Sequence, residues 1–410
     1  MSNPEARGPE ARRPLYINKI IGTASRNYNF SPAIIARLSF WYSYSRAISL
    51  VETLRKPPRN VVICVNTLRS NVRYVIDELK RAGLPTTISK IFKDTILVPI
   101  EGPFQLEASE LKKIIVKVQA AEDIMMGAPR LYHPGVVRLE DDIKPGDTVA
   151  ISTRFGDIVA VGKSLIASTE EPSGPVAEIT KSIYQKPNLK ALKIFIRGFA
   201  YESNLASLQA LEMWDVKPDS RILIISPKLS DLIWTLNQTR CKANIVIISK
   251  TSAEEKKLQE GLRSLKMEQY IDKIEWIAGN LKKIDISEGA FDYVYIRPKS
   301  TKLGLRPRLA ALFKERDFIS CFRDALFLVK KFSPGLRKGG RLLYITESLD
   351  PIEGEYILEI LIEKLKFKAV RHQIKFGETG LPGFVGSDCA LRVFPDKHDD
   401  VGLFAAVVTR

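Results

Sequence analysis

Two short segments each bring several polar and charged side chains close together in sequence. FDYVYIRPKSTKLGLRPR (residues 291–308) sets Ser300 among Arg297, Lys299, Lys302, Arg306 and Arg308. GGRLLYITESLDPIEGE (339–355) carries Glu347, Glu353 and Glu355 beside Thr346 and Ser348. A serine hydroxyl is almost wholly protonated at neutral pH, so Ser300 would need a dedicated base to act as a nucleophile. The five cations suit a different task, because clustered Lys and Arg neutralise phosphates. Cysteine and histidine offer little. Cys64, Cys241, Cys321 and Cys389 show no CxxC spacing and His occurs only at 133, 372 and 398, so no metal site is expected.

A chain of 410 residues is too long for one ordinary domain and suits two or three. No apolar run reaches membrane-spanning length, so no membrane partner is expected. Sparse, unpatterned cysteine suits a reducing cytoplasm. The formal charge of +16 is unevenly spread. Residues 1–60 carry 10 Lys/Arg against 3 Asp/Glu and residues 297–341 carry 13 against 3, whereas residues 101–175 carry 8 against 12. Such concentrated positive charge attracts polyanions, which makes nucleic acid the expected partner.

Hydropathy and turn residues outline the supporting elements. Residues 1–30, basic and punctuated by Pro4, Pro9 and Pro14, predict a flexible tail. Ser31-Pro32 opens a helical pattern that runs to Arg55. Its Trp41, Tyr42 and Tyr44 read as core packing, with base stacking as the alternative. VVICV (61–65), SNVRYVIDELKRAG (70–83) and TILVPI (95–100) make a strand–helix–strand unit, completing a helical and small α/β module over 31–112. Short β runs separated by turns such as Lys144-Pro145-Gly146-Asp147 predict a compact barrel over 113–170, and EEPSGP (170–175) predicts a linker. From 185 to 410, apolar strands alternate with helices: RILIIS (221–226), NIVIIS (244–249), EWIAG (275–279), YVYI (293–296) and RLLYIT (341–346). That alternation predicts a doubly wound, mainly parallel α/β sheet, with GLFAAVVTR closing it antiparallel.

PPRNVVICVNTLRSN (57–71), the run from Ala128 to Val136 with Lys144 to Asp147, SNLASLQALEMWDVKPDSRIL (203–223) and ALRVFPDKHDDVGLFAAVV (390–408) occur in an informative order. Together they resemble the Sun/RsmB-type RNA cytosine-5 methyltransferases, in the branch that carries an internal PUA domain. The resemblance implies a PUA domain over 113–170 and a Rossmann-like methyltransferase domain over 185–410. It also implies transfer of a methyl group from S-adenosylmethionine to C5 of cytosine in RNA. In that family a thiolate attacks C6, a neighbouring carboxylate hydrogen-bonds the ring, and a second cysteine assists release. The nucleophile lies in an Asp-Ala-Pro-Cys-Ser-Gly loop after the fourth strand, the second cysteine in a Thr-Cys-Ser turn after the fifth.

This chain departs from that pattern at the reactive positions. Aligned on Gly304-Leu305-Arg306-Pro307, Arg297 stands at the carboxylate and Ser300 at the nucleophile, with Lys299 and Lys302 at the proline and glycine. Glu347 stands at the second cysteine, where it is the candidate base for Ser300. The family's Ala-Ala-Pro-Gly-Gly-Lys loop, which follows an aspartate, corresponds to Ile224-Ile225-Ser226-Pro227-Lys228-Leu229-Ser230-Asp231, without a glycine. Ser249 replaces the carboxylate that binds ribose, and the third acidic position falls at Asn280. Each charge-assisted bond exchanged for a neutral one weakens binding by ~1 kcal/mol, and a cation at Arg297 inverts the local electrostatics. The expectation is therefore a degenerate catalytic site (Arg297, Ser300, Glu347) and a degenerate cofactor site (Ile224, Ser249, Asn280) that binds no S-adenosylmethionine. The expected function is non-catalytic binding of RNA, tRNA first, through Gly127, Arg130, Tyr132, Gly135, Arg297, Lys299, Lys302, Arg306 and Arg308. The protein would act alone, beside an active methyltransferase paralogue, or within a ribonucleoprotein. The alternative is an active S-adenosylmethionine-dependent RNA methyltransferase with an atypical site.

Overall fold

The structure, a computed structural model, describes residues 9–171 and 173–410. They form two compact units. The first holds the chain up to Pro57 together with Glu101–Lys186 and Arg306–Glu315, and the second holds Pro58–Ile100, Pro187–Leu305 and Arg316–Arg410.

Three helices, Pro9–Tyr28, Pro32–Tyr42 and Tyr44–Leu54, open the first unit. The flexible tail expected over 1–30 is therefore helical from Pro9, while residues 1–8 lie outside the described residues. Buried Ala24 and half-buried Ile20 and Ile21 give that helix an inward face. The single helix expected over 31–55 is broken at Ser43, whose φ is 72°. The Ser43 hydroxyl accepts from Arg46 N at 3.5 Å and so starts the next helix.

A six-stranded sheet follows, in the order Arg130–Tyr132, Pro175–Ser182, Ile158–Ser164, Thr148–Thr153, Lys113–Val116, Val136–Leu139. EEPSGP, read from the sequence as a linker, is instead a loop within this sheet, because the chain after it returns as the strand Pro175–Ser182. Its Pro172 lies outside the described residues. Ile114, Ile151, Val159 and Val176 fill the interior along with Leu309, contributed by the distant 306–315 segment. That segment is pinned where Arg308 N donates to Leu54 O (2.7 Å), Leu309 N to the Glu122 carboxylate (2.8 Å) and Ser31 Oγ to Phe313 O (2.5 Å).

The second unit begins with a small antiparallel sheet, in the order Ala200–Ser203, Asn60–Val65, Thr95–Pro99, Thr87–Ile88. The module expected over 31–112 is thus divided between the units. Asn60–Val65 pairs with Ala200–Ser203, and Val62 and Cys64 pack with Ile222 and Ile224 in the core of the large sheet. That larger sheet has nine strands. Ile274–Ala278, Asn244–Ser249, Arg221–Ile225, Phe291–Ile296 and Leu336–Thr346 run parallel in that spatial order, followed by the antiparallel Leu403–Thr409. Strand order reverses between Arg221–Ile225 and Phe291–Ile296, the switch point at which doubly wound sheets bind ligands outside the carboxyl ends. Among the described residues no helix is long and apolar enough to cross a membrane. Among the same residues no three His, Cys, Asp or Glu side chains are grouped to hold a metal ion.

Candidate functional site

Every reactive position of the methyltransferase-type segments except Ile224 lies at or just past the carboxyl edge of the parallel sheet. Ser226 follows Arg221–Ile225 with φ 50°, Ser249 ends Asn244–Ser249, and Thr346 ends Leu336–Thr346. The hydroxyl oxygens of Ser226, Ser249 and Thr346 are buried and have no hydrogen-bond partner among the described residues. A buried polar group left unmatched costs about 1–3 kcal/mol, so three along one sheet edge mark a place suited to a polar ligand. Ile224 does not belong to this edge. It sits within the strand, 1% exposed, with its side chain in the core, and Ser226 is the residue at the strand's end. Asn280 is exposed, and its side-chain oxygen accepts from Lys282 N at 3.1 Å.

Beside the hydroxyls lies a cluster of four charges. Arg297, 7% exposed, donates through Nη1 to Asp231 Oδ2 at 2.7 Å and to Tyr295 Oη at 3.1 Å. Tyr295 donates in turn to Asp231 Oδ2 at 2.6 Å. Arg297 Nη2 lies 3.0 Å from Glu347 Oε1, close enough for an ion pair but not aligned as a hydrogen bond. Lys228 Nζ completes the set by binding Glu347. Two acids and two bases cancel, which is how buried charge is tolerated. Burial alone would raise the Glu347 carboxyl, but Arg297 and then Lys228 hold it down at about 2. Burial also works against the Arg297 charge, yet Glu347, Tyr295 and Asp231 keep it firmly protonated. Lys228 is lowered by burial and by repulsion from Arg297.

This arrangement changes the chemistry read from the sequence. A carboxylate held so low, and paired twice, is a poor proton acceptor at neutral pH. Glu347 therefore does not serve Ser300 as a base. The Ser300 hydroxyl accepts from Lys302 N at 3.2 Å and has no carboxylate or imidazole partner among the described residues.

Two further contacts fix the loops around the cluster. Glu353 accepts from Thr301 N (2.9 Å), Thr301 Oγ1 (2.6 Å) and Ser348 Oγ (2.7 Å), tying the 297–305 loop to the 346–353 turn. With no cation against it, burial raises the Glu353 carboxyl to about 7 despite those donors. Arg392, wholly buried, pairs with Glu355 and donates to Ser348 O at 2.7 Å. Gly304 is obligatory: a Cβ there would lie 1.9 Å from the carbonyl oxygen of Gly402.

The residues expected to meet RNA separate into three groups. Arg297 is withdrawn from phosphate altogether by its buried ion pairs. Arg306 is half-buried and closes the end of the helix Tyr44–Leu54, donating through Nε to Thr53 O (3.1 Å) and Lys56 O (2.9 Å) and through Nη2 to Pro57 O (2.9 Å). Its role there is structural, as is that of Arg308 N on Leu54 O. Lys299 and Lys302 are exposed, and so is Tyr132 at 53%. Arg130 is exposed and bridges Glu178 at 3.1 Å. Gly127 ends the helix Val118–Met125 with φ 93°, while Gly135 is too close to Ala120 for a side chain, at 2.7 Å. Asp231, Lys228 and Tyr295 have roles that the sequence did not disclose. The available signal was an acid in the first turn of the otherwise uncharged helix Leu229–Gln238.

Fold and site define a methyltransferase-type α/β protein fitted with a second, β-rich domain, and comparison with known proteins agrees. Residues 112–171 match the PUA domain family. The tRNA (cytosine(72)-C(5))-methyltransferase of Pyrococcus horikoshii is 27% identical over 374 residues, covering 89% of this chain and 93% of that protein. The mouse tRNA (cytosine(72)-C(5))-methyltransferase NSUN6 is 21% identical over 382 residues, covering 84% of this chain and 79% of that protein. The crystal structure of NSun6 from Pyrococcus horikoshii with SFG superposes with a TM-score of 0.84 at 25% identity, covering 93% of this chain and 98% of that one. Over nearly its whole length the chain is similar to Sun/RsmB-type RNA cytosine-5 methyltransferases, and it carries a PUA domain.

One expectation is overturned here. Loss of the acidic and glycine positions argued that no S-adenosylmethionine would bind, yet the superposed NSun6 structure holds SFG, an analogue of that cofactor, on the same fold. The sheet edge of this chain fits such a ligand in one respect, since Ser226, Ser249 and Thr346 present three unmatched hydroxyls there. The lost side chains are only part of the site, and the strand ends still offer polar groups of their own.

Proposed function

We infer that this chain binds tRNA, or a similarly structured RNA, through its PUA-bearing unit. It also holds an S-adenosylmethionine-type ligand at the carboxyl edge of its parallel sheet, as a methyltransferase-type protein with an atypical site. The row of buried, partnerless hydroxyls on Ser226, Ser249 and Thr346 carries this reading, because matching them is worth about 1–3 kcal/mol each. The names of the two full-length relatives support tRNA as substrate and methyl transfer as the reaction class. The side chains restrict how transfer proceeds. With Ser300 and Glu347 where the family has cysteines, the thiolate adduct at C6 has no nucleophile, so an acceptor must be reactive without it. The bound methyl donor would supply an electrophilic methyl group, and the neutral Arg297–Glu347 cluster would close the floor beside it. A second reading, in which the protein holds RNA without modifying it, is favoured by that same cluster, in which Glu347 is paired twice and is a poor proton acceptor.

Calorimetric titration with SFG, followed by incubation with tRNA and labelled S-adenosylmethionine, tests both. Micromolar SFG binding is the expected result, and none at millimolar concentration would sink the proposal. Label in the RNA selects the first reading; SFG binding with no label in any tRNA selects the second.

A further inference from the structure

The break at Ser43 divides the aromatic run at residues 40–44 between core and surface. Tyr42 is core, at 7% exposure. Phe40, however, is 76% exposed, the highest value among the exposed large hydrophobic residues, and Tyr44 is 42% exposed. Half-buried Trp41 meets the Phe40 ring edge-on, with centroids 4.8 Å apart and planes at 83°. Ser43, with φ 72°, occupies a region that L residues seldom adopt, and it turns the chain so that Phe40 and Tyr44 stand on either side of an exposed corner. A lone surface ring needs no explanation. Two exposed rings flank this turn, one of them packed edge-on against a tryptophan, and supply a candidate platform.

The charge of the surrounding sequence points to its occupant. Between Glu10 and Glu52 the sequence has no acidic residue, while Lys19, Arg26, Arg37 and Arg46 supply four cations. Arg37 is met by the exposed Glu315 at 2.5 Å, which leaves the balance of the segment strongly positive. This corner belongs to the same compact unit as the PUA sheet. Aromatic faces in a cationic setting are how proteins hold unpaired nucleotides, the ring stacking on the base while the cations draw in the backbone. We propose that Phe40 and Tyr44 stack on an unpaired nucleotide of the bound RNA, so that the protein distinguishes RNA with a single-stranded segment from a fully paired helix. The inference rests on the RNA-binding reading above.

The test uses the full chain, a fluorescent RNA hairpin with a four-nucleotide single-stranded tail, and the same hairpin with a blunt end. Wild type should bind the tailed RNA more tightly. Phe40→Ala should weaken tailed-RNA binding about tenfold and leave the blunt hairpin unchanged, the scale of one lost stack. Phe40→Trp should restore it. Because Phe40 is exposed, both variants should melt with wild type. Equal loss on both RNAs, or no loss on the tailed one, overturns the proposal while leaving PUA-based RNA binding intact. Binding of neither RNA by wild type overturns both. A wild-type dimer that Phe40→Ala dissociates would assign the platform to a second copy of the chain and overturn it as well.

Discussion

Replacing Glu347 by glutamine removes one negative charge from a cluster of two acids and two bases while keeping the side chain's shape. Glu347 is 3% exposed on its side chain and its carboxyl is held at about 2, against an ordinary 4.5. At about 1.4 kcal/mol per pH unit, that interval corresponds to roughly 3 kcal/mol of folded-state stability at neutral pH. Breaking one side of a buried ion pair costs about 3–5 kcal/mol, an independent figure of the same size. Lys228, however, is 38% exposed and can turn toward water once its partner is neutral. The expected loss is therefore about 2 kcal/mol, or a fall of about 4–8 °C in Tm for a unit of this size. Scanning calorimetry of wild type and Glu347→Gln at several pH values measures it. A depressed carboxyl contributes stability that is full above the unfolded value and disappears as pH falls through the folded one. The gap should thus hold from pH 7 to about pH 5 and shrink to less than half by pH 3. A gap under about 0.5 kcal/mol at pH 7, or one of equal size at pH 3, would refute the ion-pair account.

Glu353 should behave in the opposite sense. Its carboxyl is raised to about 7, so its stabilising contribution is complete below about 4.5 and is lost as pH rises through about 7. Wild type should lose roughly 3 kcal/mol relative to Glu353→Gln between those limits, visible as crossing urea-denaturation midpoints. Arg392→Met strands the wholly buried Glu355 carboxylate and should cost about 3–5 kcal/mol by chemical denaturation, with most of it recovered when Glu355→Met is added. Lys299→Ala and Lys302→Ala should each lower the slope of log RNA affinity against log salt by about one, whereas a slope unchanged in both would remove the loop from the RNA contact. Tyr132→Ala should weaken binding of tRNA-type RNA about tenfold in an anisotropy titration.

Much of the larger unit was legible because each parallel strand is a nearly continuous apolar run, and no other element explains five such runs separated by helical patterns. The closing strand Leu403–Thr409 was readable for the same reason. The ion-pair cluster was not, because Asp231 and Arg297 stand 66 positions apart and Lys228 and Glu347 stand 119 apart. Nothing in either local sequence says that opposite charges will meet, so Arg297 read as a cation facing RNA. Arg306 misled similarly: its partners are backbone carbonyls about 250 residues earlier, and carbonyls leave no trace in residue type. The turn at Ser43 carries no glycine or proline, the residues that usually mark a break in a helix.

The two compact units are interlaced along the chain, which passes from one to the other after Pro57, Ile100, Lys186, Leu305 and Glu315. Neither unit corresponds to a single stretch of polypeptide. Leu309, which completes the interior of the six-stranded sheet, reaches its place only after most of the parallel sheet has been synthesised. The PUA unit is therefore finished late, and a ribosome releasing the first two hundred residues would expose a sheet still lacking part of its core. Cutting the gene at any one of the crossings would strand part of one unit without its partners. Neither unit is complete until the chain has passed its last crossing, so the two are made together.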